Sequence, residues 1–145
     1  MTETNSFKME FLSRSANESF ARAVAGAFFA QLDPTMAEMA DLKTAVSEAV
    51  TNCVVHAYGD DAPNRYVTLT MTLTGDTATV IVEDTGCGIE DVEKARQPFF
   101  TTASGEERSG MGFSVMEAFM DALTVESAPG KGTKVIMTKR VGGRK

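Results

Sequence analysis

The sequence has two cysteines, one histidine, four prolines and no tryptophan in 145 residues. Cys53 and Cys87 have no metal-like spacing to other ligands, so a structural metal centre and a disulfide framework are both excluded, and the usage fits a reduced, cytoplasmic protein. A single histidine, His56, leaves no room for a histidine-rich metal centre or for a relay with a separate acceptor histidine. No apolar run approaches the roughly 18 residues that a membrane span needs, and the N-terminus lacks the apolar core of a secretion signal. Basic residues are also short: 14 Lys and Arg against 20 Asp and Glu give a net charge of -6. That balance argues against broad nucleic-acid binding. Lys139, Arg140, Arg144 and Lys145 cluster late in the chain and read as a solubilising tail.

What remains is enough for one domain, residues 1–145, with a real core. Residues 7–13 alternate apolar and polar, the mark of a first strand. Ser15 and Glu18 have capping-box spacing, and Phe20, Val24, Ala27 and Phe28 form the apolar stripe of the helix that follows. Asp33-Pro34 breaks it. Thr35 and Glu38 form a second capping box, opening a long helix to about residue 58 with Met39, Leu42, Val46, Ala49, Val50 and Cys53 on its apolar side. On another side Glu48, Asn52 and His56 recur every four residues, a row that drifts only about 40° per step. A carboxylate, an amide and an imidazole in that row either face solvent or serve a metal or a hydroxyl.

Residues 67–74 read V-T-L-T-M-T-L-T, a strict alternation with one apolar face and one of threonine. This predicts a half-buried antiparallel strand. Gly75-Asp76 marks a hairpin, and residues 77–84 return beside it. Alternation then puts Ala78, Val80, Val82 and Asp84 on the core face. A carboxylate aimed inward at a strand end needs hydrogen-bond partners. With Gly86 and Gly88 just beyond it, Asp84 either caps a turn or floors a ligand pocket. A short helix over 90–96 is stopped by Pro98, and 99–109 reads as a mobile loop. Gly110 and Gly112 open a helix to about residue 121, striped by Val115, Phe119 and Ala122. Its free amides and Arg108 make a plausible phosphate cradle. Strands over 123–127 and 133–139 complete a two-layer α+β sandwich, a mixed and mostly antiparallel sheet with helices on one face.

Three short motifs occur in one order: E-A-V-T-N-C-V-V-H (48–56), D-T-G-C-G-I (84–89) and S-G-M-G-F (109–113). Together they resemble the N, G1 and G2 boxes of the GHKL ATPases, the Bergerat ATP-binding fold, a superfamily that includes gyrase and the histidine kinases. N-E-S-F-A-R (17–22), Q-L-D-P-T-M (31–36), A-R-Q-P-F-F-T-T (95–102) and E-R-S-G-M-G-F (107–113) are similar to one branch, the sporulation anti-sigma F serine kinases. The resemblance runs from about residue 7 to residue 139.

The resemblance implies ATP or ADP and Mg²⁺ as cofactors. Asp84 would accept the adenine amino group, supported by Thr133, and Asn52 would coordinate Mg²⁺. Glu48 would be the general base toward a serine hydroxyl. Gly86 and Gly88 would admit the nucleotide, while Gly110, Met111 and Gly112, with Arg108 and Ser109, would meet the phosphates. Thr101 and Thr102 would belong to an ATP lid, in which Ala103 stands where related lids carry lysine. Arg22 would contact partners. The partners implied are sigma F and an anti-anti-sigma factor phosphorylated on serine, with the protein acting as a homodimer, and neither nucleic acid nor membrane. A general-stress anti-sigma kinase and a nucleotide-dependent binding module without phosphotransfer are the alternatives.

Overall fold

The computed structural model describes residues 4–54, 65–86, 112–127 and 131–142. Strand β1 spans Thr4–Leu12, helix α1 Ala16–Phe29 and helix α2 Met36–Asn52. Then come β2 (Tyr66–Thr74), β3 (Thr77–Asp84), α3 (Gly112–Phe119), β4 (Ala122–Ser127) and β5 (Thr133–Arg140). The strands form one sheet in the order β1-β2-β3-β5-β4, every neighbouring pair antiparallel. The sequence expectation of an α+β sandwich holds, with antiparallel pairing throughout the described strands.

The threonine alternation reads directly in β2. Val67, Leu69, Met71 and Leu73 are buried, while Thr68, Thr70 and Thr72 are half-buried on the other face. Gly75 takes φ 62° at the first central position of the β2–β3 hairpin, where glycine tolerates the left-handed region. Ala78, Val80, Val82 and Asp84 of β3 all lie on the buried face, as alternation requires. Val135, Met137 and Lys139 of β5 share that face.

The helices cover it. At α2 the capping box is complete: Glu38 N–H donates to Thr35 Oγ1 at 3.1 Å and Thr35 N–H to Glu38 Oε1 at 2.8 Å. The box expected at α1 does not form. Ser15 already has helical backbone angles and makes no side-chain cap, and Asn17 Nδ2 instead donates to the Leu12 carbonyl at 2.8 Å. The buried stripe of α1 is also one residue on from the expected one. Ala21, Ala25 and Phe29 are buried and Phe20 is 48% exposed. Small residues there let α1 and α2 approach closely: a Cβ on Gly26 would stand 3.1 Å from Lys43 Cδ. Phe28 and Phe20 flank the contact and meet Phe7 and Phe11 edge-on, with centroids 4.7 and 6.4 Å apart.

Two further expectations shift. Helix α3 stops at Phe119 rather than 121, because Asp121 N–H pairs with the Thr138 carbonyl just ahead of β4. Its buried residues are Phe113 and Met116, with Met120 just beyond, while Val115 is half-buried and Phe119 and Ala122 are exposed. The late basic residues Lys139 and Arg140 are not a solubilising tail. Lys139 is 9% exposed, donates to the Phe119 carbonyl at 2.7 Å and pairs with Asp41 at 3.4 Å; Arg140 pairs with Asp76 at 3.0 Å. The expected extension of α2 to 58, the loop over 59–64, the helix over 90–96 and the loop over 99–109 lie outside the described residues, apart from Cys53 and Val54. Those two continue α2 in a wider, π-type turn.

Candidate functional site

The C-terminal end of β3 meets the N-terminal end of β5 and the C-terminal end of α2. Asp84 is the last residue of β3, 8% exposed, and its cross-strand partner on β5 is Thr133. Two backbone amides converge on Asp84 Oδ1: Gly86 N–H at 2.9 Å and Thr133 N–H at 3.2 Å. The Cys53 thiol, buried at the end of α2, donates to the same carboxylate. Burial pushes the Asp84 carboxyl above its ordinary pKa, and the bonds from Gly86, Cys53 and Thr133 pull the other way. No cation stands against Asp84 among the described residues. Burial, with the Asp84 charge added, pushes the Cys53 thiol well up, so it stays protonated and serves as a donor rather than a nucleophile.

The chain crosses close to the Asp84 backbone. Gly132 takes φ 83°, and a Cβ there would collide with the Asp84 carbonyl oxygen. Only glycine fits at this position, directly before Thr133. On the far side, Ser127 ends β4 opposite Thr133. Its hydroxyl donates to the Gly132 carbonyl at 2.8 Å and lies 2.9 Å from Thr133 Oγ1.

Helix α2 links this floor to a second group. Consecutive helical residues point about 100° apart, so Cys53 reaches Asp84 while Asn52 turns to α3. A Cβ on Gly112 would stand 3.0 Å from Asn52 Oδ1 and 3.1 Å from Nδ2. The first residue of α3 therefore rests on the Asn52 amide, and the positive end of that helix lies beside it. Glu48 is half-buried one turn earlier on α2, and Arg22 stands apart, exposed on α1.

Asp84, Gly86 and Thr133 are thus joined by hydrogen bonds, and Asn52 and Gly112 by contact. Gly88, Thr101, Thr102, Arg108, Ser109, Gly110 and Met111 lie outside the described residues. Cys53 and Ser127 were not expected. Cys53 had a signal, since its neighbour Asn52 was already placed at the site; Ser127 had none without the β4–β5 register. Chemically the floor offers a carboxylate to a hydrogen-bond donor. Asn52 beside a helix start offers an amide oxygen, a hard ligand suited to a cation that keeps most of its waters. Among the described residues no three His, Cys, Asp or Glu cluster as a metal site, and no helix is long and apolar enough to cross a membrane.

An acceptor floor, a glycine crossover and an amide at a helix start define a class, and comparison with known proteins agrees. The family described as "Histidine kinase-like ATPase domain" matches residues 11–139. Among solved structures, the RsbU and RsbW domains of a Mycobacterium tuberculosis protein superpose with TM-score 0.68 at 20% identity, covering 94% of this chain and 32% of that one. The catalytic domain of histidine kinase ThkA superposes with TM-score 0.58 at 17% identity, covering 93% and 96%. At these identities the likeness is one of fold. Sequence relatives are much nearer. An anti-sigma F factor of Thermoanaerobacter sp. (strain X514) is 57% identical over 145 residues, 100% of both chains. One from Caldanaerobacter subterraneus subsp. tengcongensis is 58% identical over 142 residues, 98% of both. The chain belongs to the anti-sigma F factor family of histidine kinase-like ATPase domains.

Proposed function

We propose that this protein is an ATP-dependent serine kinase that also sequesters sporulation sigma F from RNA polymerase in the cytoplasm. The observation that carries the nucleotide reading is the Asp84 carboxylate, oriented by the Gly86 and Thr133 amides and left without a counter-cation among the described residues. A buried carboxylate held by dipoles alone suits a ligand that brings its own N–H, as the adenine amino group does.

In this reading Asp84 and Thr133 bind the base, and Gly86 and Gly88 let the backbone come close to it. Asn52 would hold the Mg²⁺ that accompanies ATP and offsets charge at the phosphates. Gly110, Met111 and Gly112, with Arg108 and Ser109, would meet the phosphates, and Thr101 and Thr102 would contribute from the lid that the resemblance implies. Glu48, one turn before Asn52, takes the proton from the incoming serine hydroxyl of an anti-anti-sigma factor. Arg22, exposed on α1, is a contact for sigma F and for that antagonist, and the working unit is a homodimer. The names of the 57–58% identical relatives support the sigma-factor assignment.

The test is transfer of labelled phosphate from ATP, with Mg²⁺, to a purified anti-anti-sigma factor. Wild type is expected to label one serine, and Glu48→Gln to lose at least about 100-fold in rate, the usual contribution of a general base. Absence of transfer in wild type, with ATP bound, leaves a nucleotide-dependent binding module instead. Arg22→Ala is expected to weaken capture of sigma F on a pull-down while ATP affinity holds.

A further inference from the structure

Three side chains lie in one row across the end of the sheet: Asp84 on β3, Thr133 on β5 and Ser127 on β4, each the cross-strand partner of the next. A serine hydroxyl has one proton. The Gly132 carbonyl can only accept, so the 2.8 Å contact from Ser127 Oγ uses that proton. The 2.9 Å contact between Ser127 Oγ and Thr133 Oγ1 must then be donated by Thr133. With its proton directed sideways, Thr133 has only lone pairs to present to the pocket. Asp84, as a carboxylate, also only accepts.

We propose that Ser127 is a positioning residue that sets the purine preference of the site: by fixing the Thr133 hydroxyl as an acceptor, it makes the floor complementary to a 6-amino purine and hostile to a 6-oxo purine. The inference rests on the nucleotide reading above and extends it to the choice of base. A 6-amino group carries two N–H donors for Asp84 and Thr133. A 6-oxo group would set a third acceptor against two others beside the buried Asp84. Sites that leave buried polar groups unmatched discriminate strongly. Without Ser127 the Thr133 hydroxyl is free to turn, donate to a 6-oxo oxygen and relieve part of that clash.

The experiment is calorimetric titration of the full chain with ATP and with inosine triphosphate, which carries an oxo group and N1–H in place of the amino group. Wild type is expected to prefer ATP. Ser127→Ala is expected to lower the ATP-to-inosine triphosphate affinity ratio about fivefold, the net worth of one neutral hydrogen bond. Ser127→Thr, which keeps a hydroxyl, is expected to hold the wild-type ratio. If the alanine variant does not fold, Ser127→Cys keeps the shape with a poor acceptor and is expected to lower the ratio likewise. In a Thr133→Val background, the Ser127 change is expected to have no further effect on the ratio, because Ser127 acts through Thr133. A wild-type ratio in the folded Ser127→Ala or Ser127→Cys variant overturns the inference and leaves the ATP site standing. Equal wild-type affinity for both nucleotides does the same. A wild type that binds neither overturns the nucleotide reading itself.

Discussion

Each end of the sheet buries a charge, and the two are handled in opposite ways. Asp84 closes β3 at one end; Lys139 lies near the other end of the same inner face, opposite Ala78. Six residues of β5 separate their levels, about 20 Å at strand spacing. The Lys139 ammonium has a carboxylate, Asp41, and a helix-end carbonyl, Phe119. It ties α2 and α3 to the sheet, and its charge is paired within the fold. Asp84 has amides and a thiol but no opposite charge among the described residues. A buried charge with a counter-charge acts as a clasp. One held only by dipoles remains underpaired, and that deficit is what a ligand can fill.

Substitutions at each end should separate these roles. The largest expected effect is at the crossover. Gly132→Ala forces a side chain into φ 83° and against the Asp84 backbone; a loss of about 3 kcal/mol or more in denaturant unfolding is expected. A near-native midpoint would mean that the Asp84 end is far softer than the Lys139 end. Next, Asp84→Asn is expected to weaken ATP binding about 10- to 100-fold by calorimetry, the range for hydrogen bonds to a charged group. Its melting temperature at neutral pH should equal or exceed that of wild type, since the change removes a buried charge. A large drop would show that Asp84 is a clasp like Lys139. Conversely, Lys139→Met should cost about 1–3 kcal/mol, because it leaves the Phe119 carbonyl unpaired and Asp41, half-buried, without its cation. ATP affinity should change little.

The smallest effect is in pH dependence, where the two ends have opposite signs. The Asp84 carboxyl is raised by burial. The folded state therefore binds a proton more readily than the unfolded chain, and the stability that Asp84 contributes is full below its unfolded pKa and lost as pH rises through the folded value. Asp76, beside Arg140 at the other end, is lowered, first by the Arg140 hydrogen bond. Its contribution is present above the unfolded pKa and lost as pH falls through the folded one. Unfolding curves for wild type minus Asp84→Asn should accordingly rise toward acid, and those for wild type minus Asp76→Asn should fall. The Asp76 difference should be slight, since the pair is solvent-screened. Two curves of the same sign would remove the contrast.

Much of this contrast is legible in the sequence at the Asp84 end. Strand alternation alone points Asp84 inward with Val80 and Val82, and the four-residue recurrence places Asn52 and Glu48 on one side of α2. The Lys139 end was misread because basic residues close together suggest a tail. The parity of Val135, Met137 and Lys139 carries the correct signal, and composition hides it. The stripe of α1 was misplaced for a related reason. Large apolar residues attract the eye, but close helix packing selects small ones, Ala21 and Ala25, for the centre and leaves Phe20 at the rim. Ser127 lay beyond reach. Its role depends on which residue of β5 it faces and on where a single proton points, and neither is a local property of the chain.

The order β3-β5-β4 also bears on how the chain is made. Strand β5 follows β4 in sequence yet lies between β3 and β4. On a translating ribosome, β3 can pair with β2 at once, but its other edge stays open until β5 has emerged. Until then Val80, Val82 and Asp84 have no neighbour on that side, and β4 has no described strand to join. Sheet closure and completion of the Asp84–Thr133 pair are therefore the same late event. In a nascent chain the binding floor is complete only once the sheet has closed.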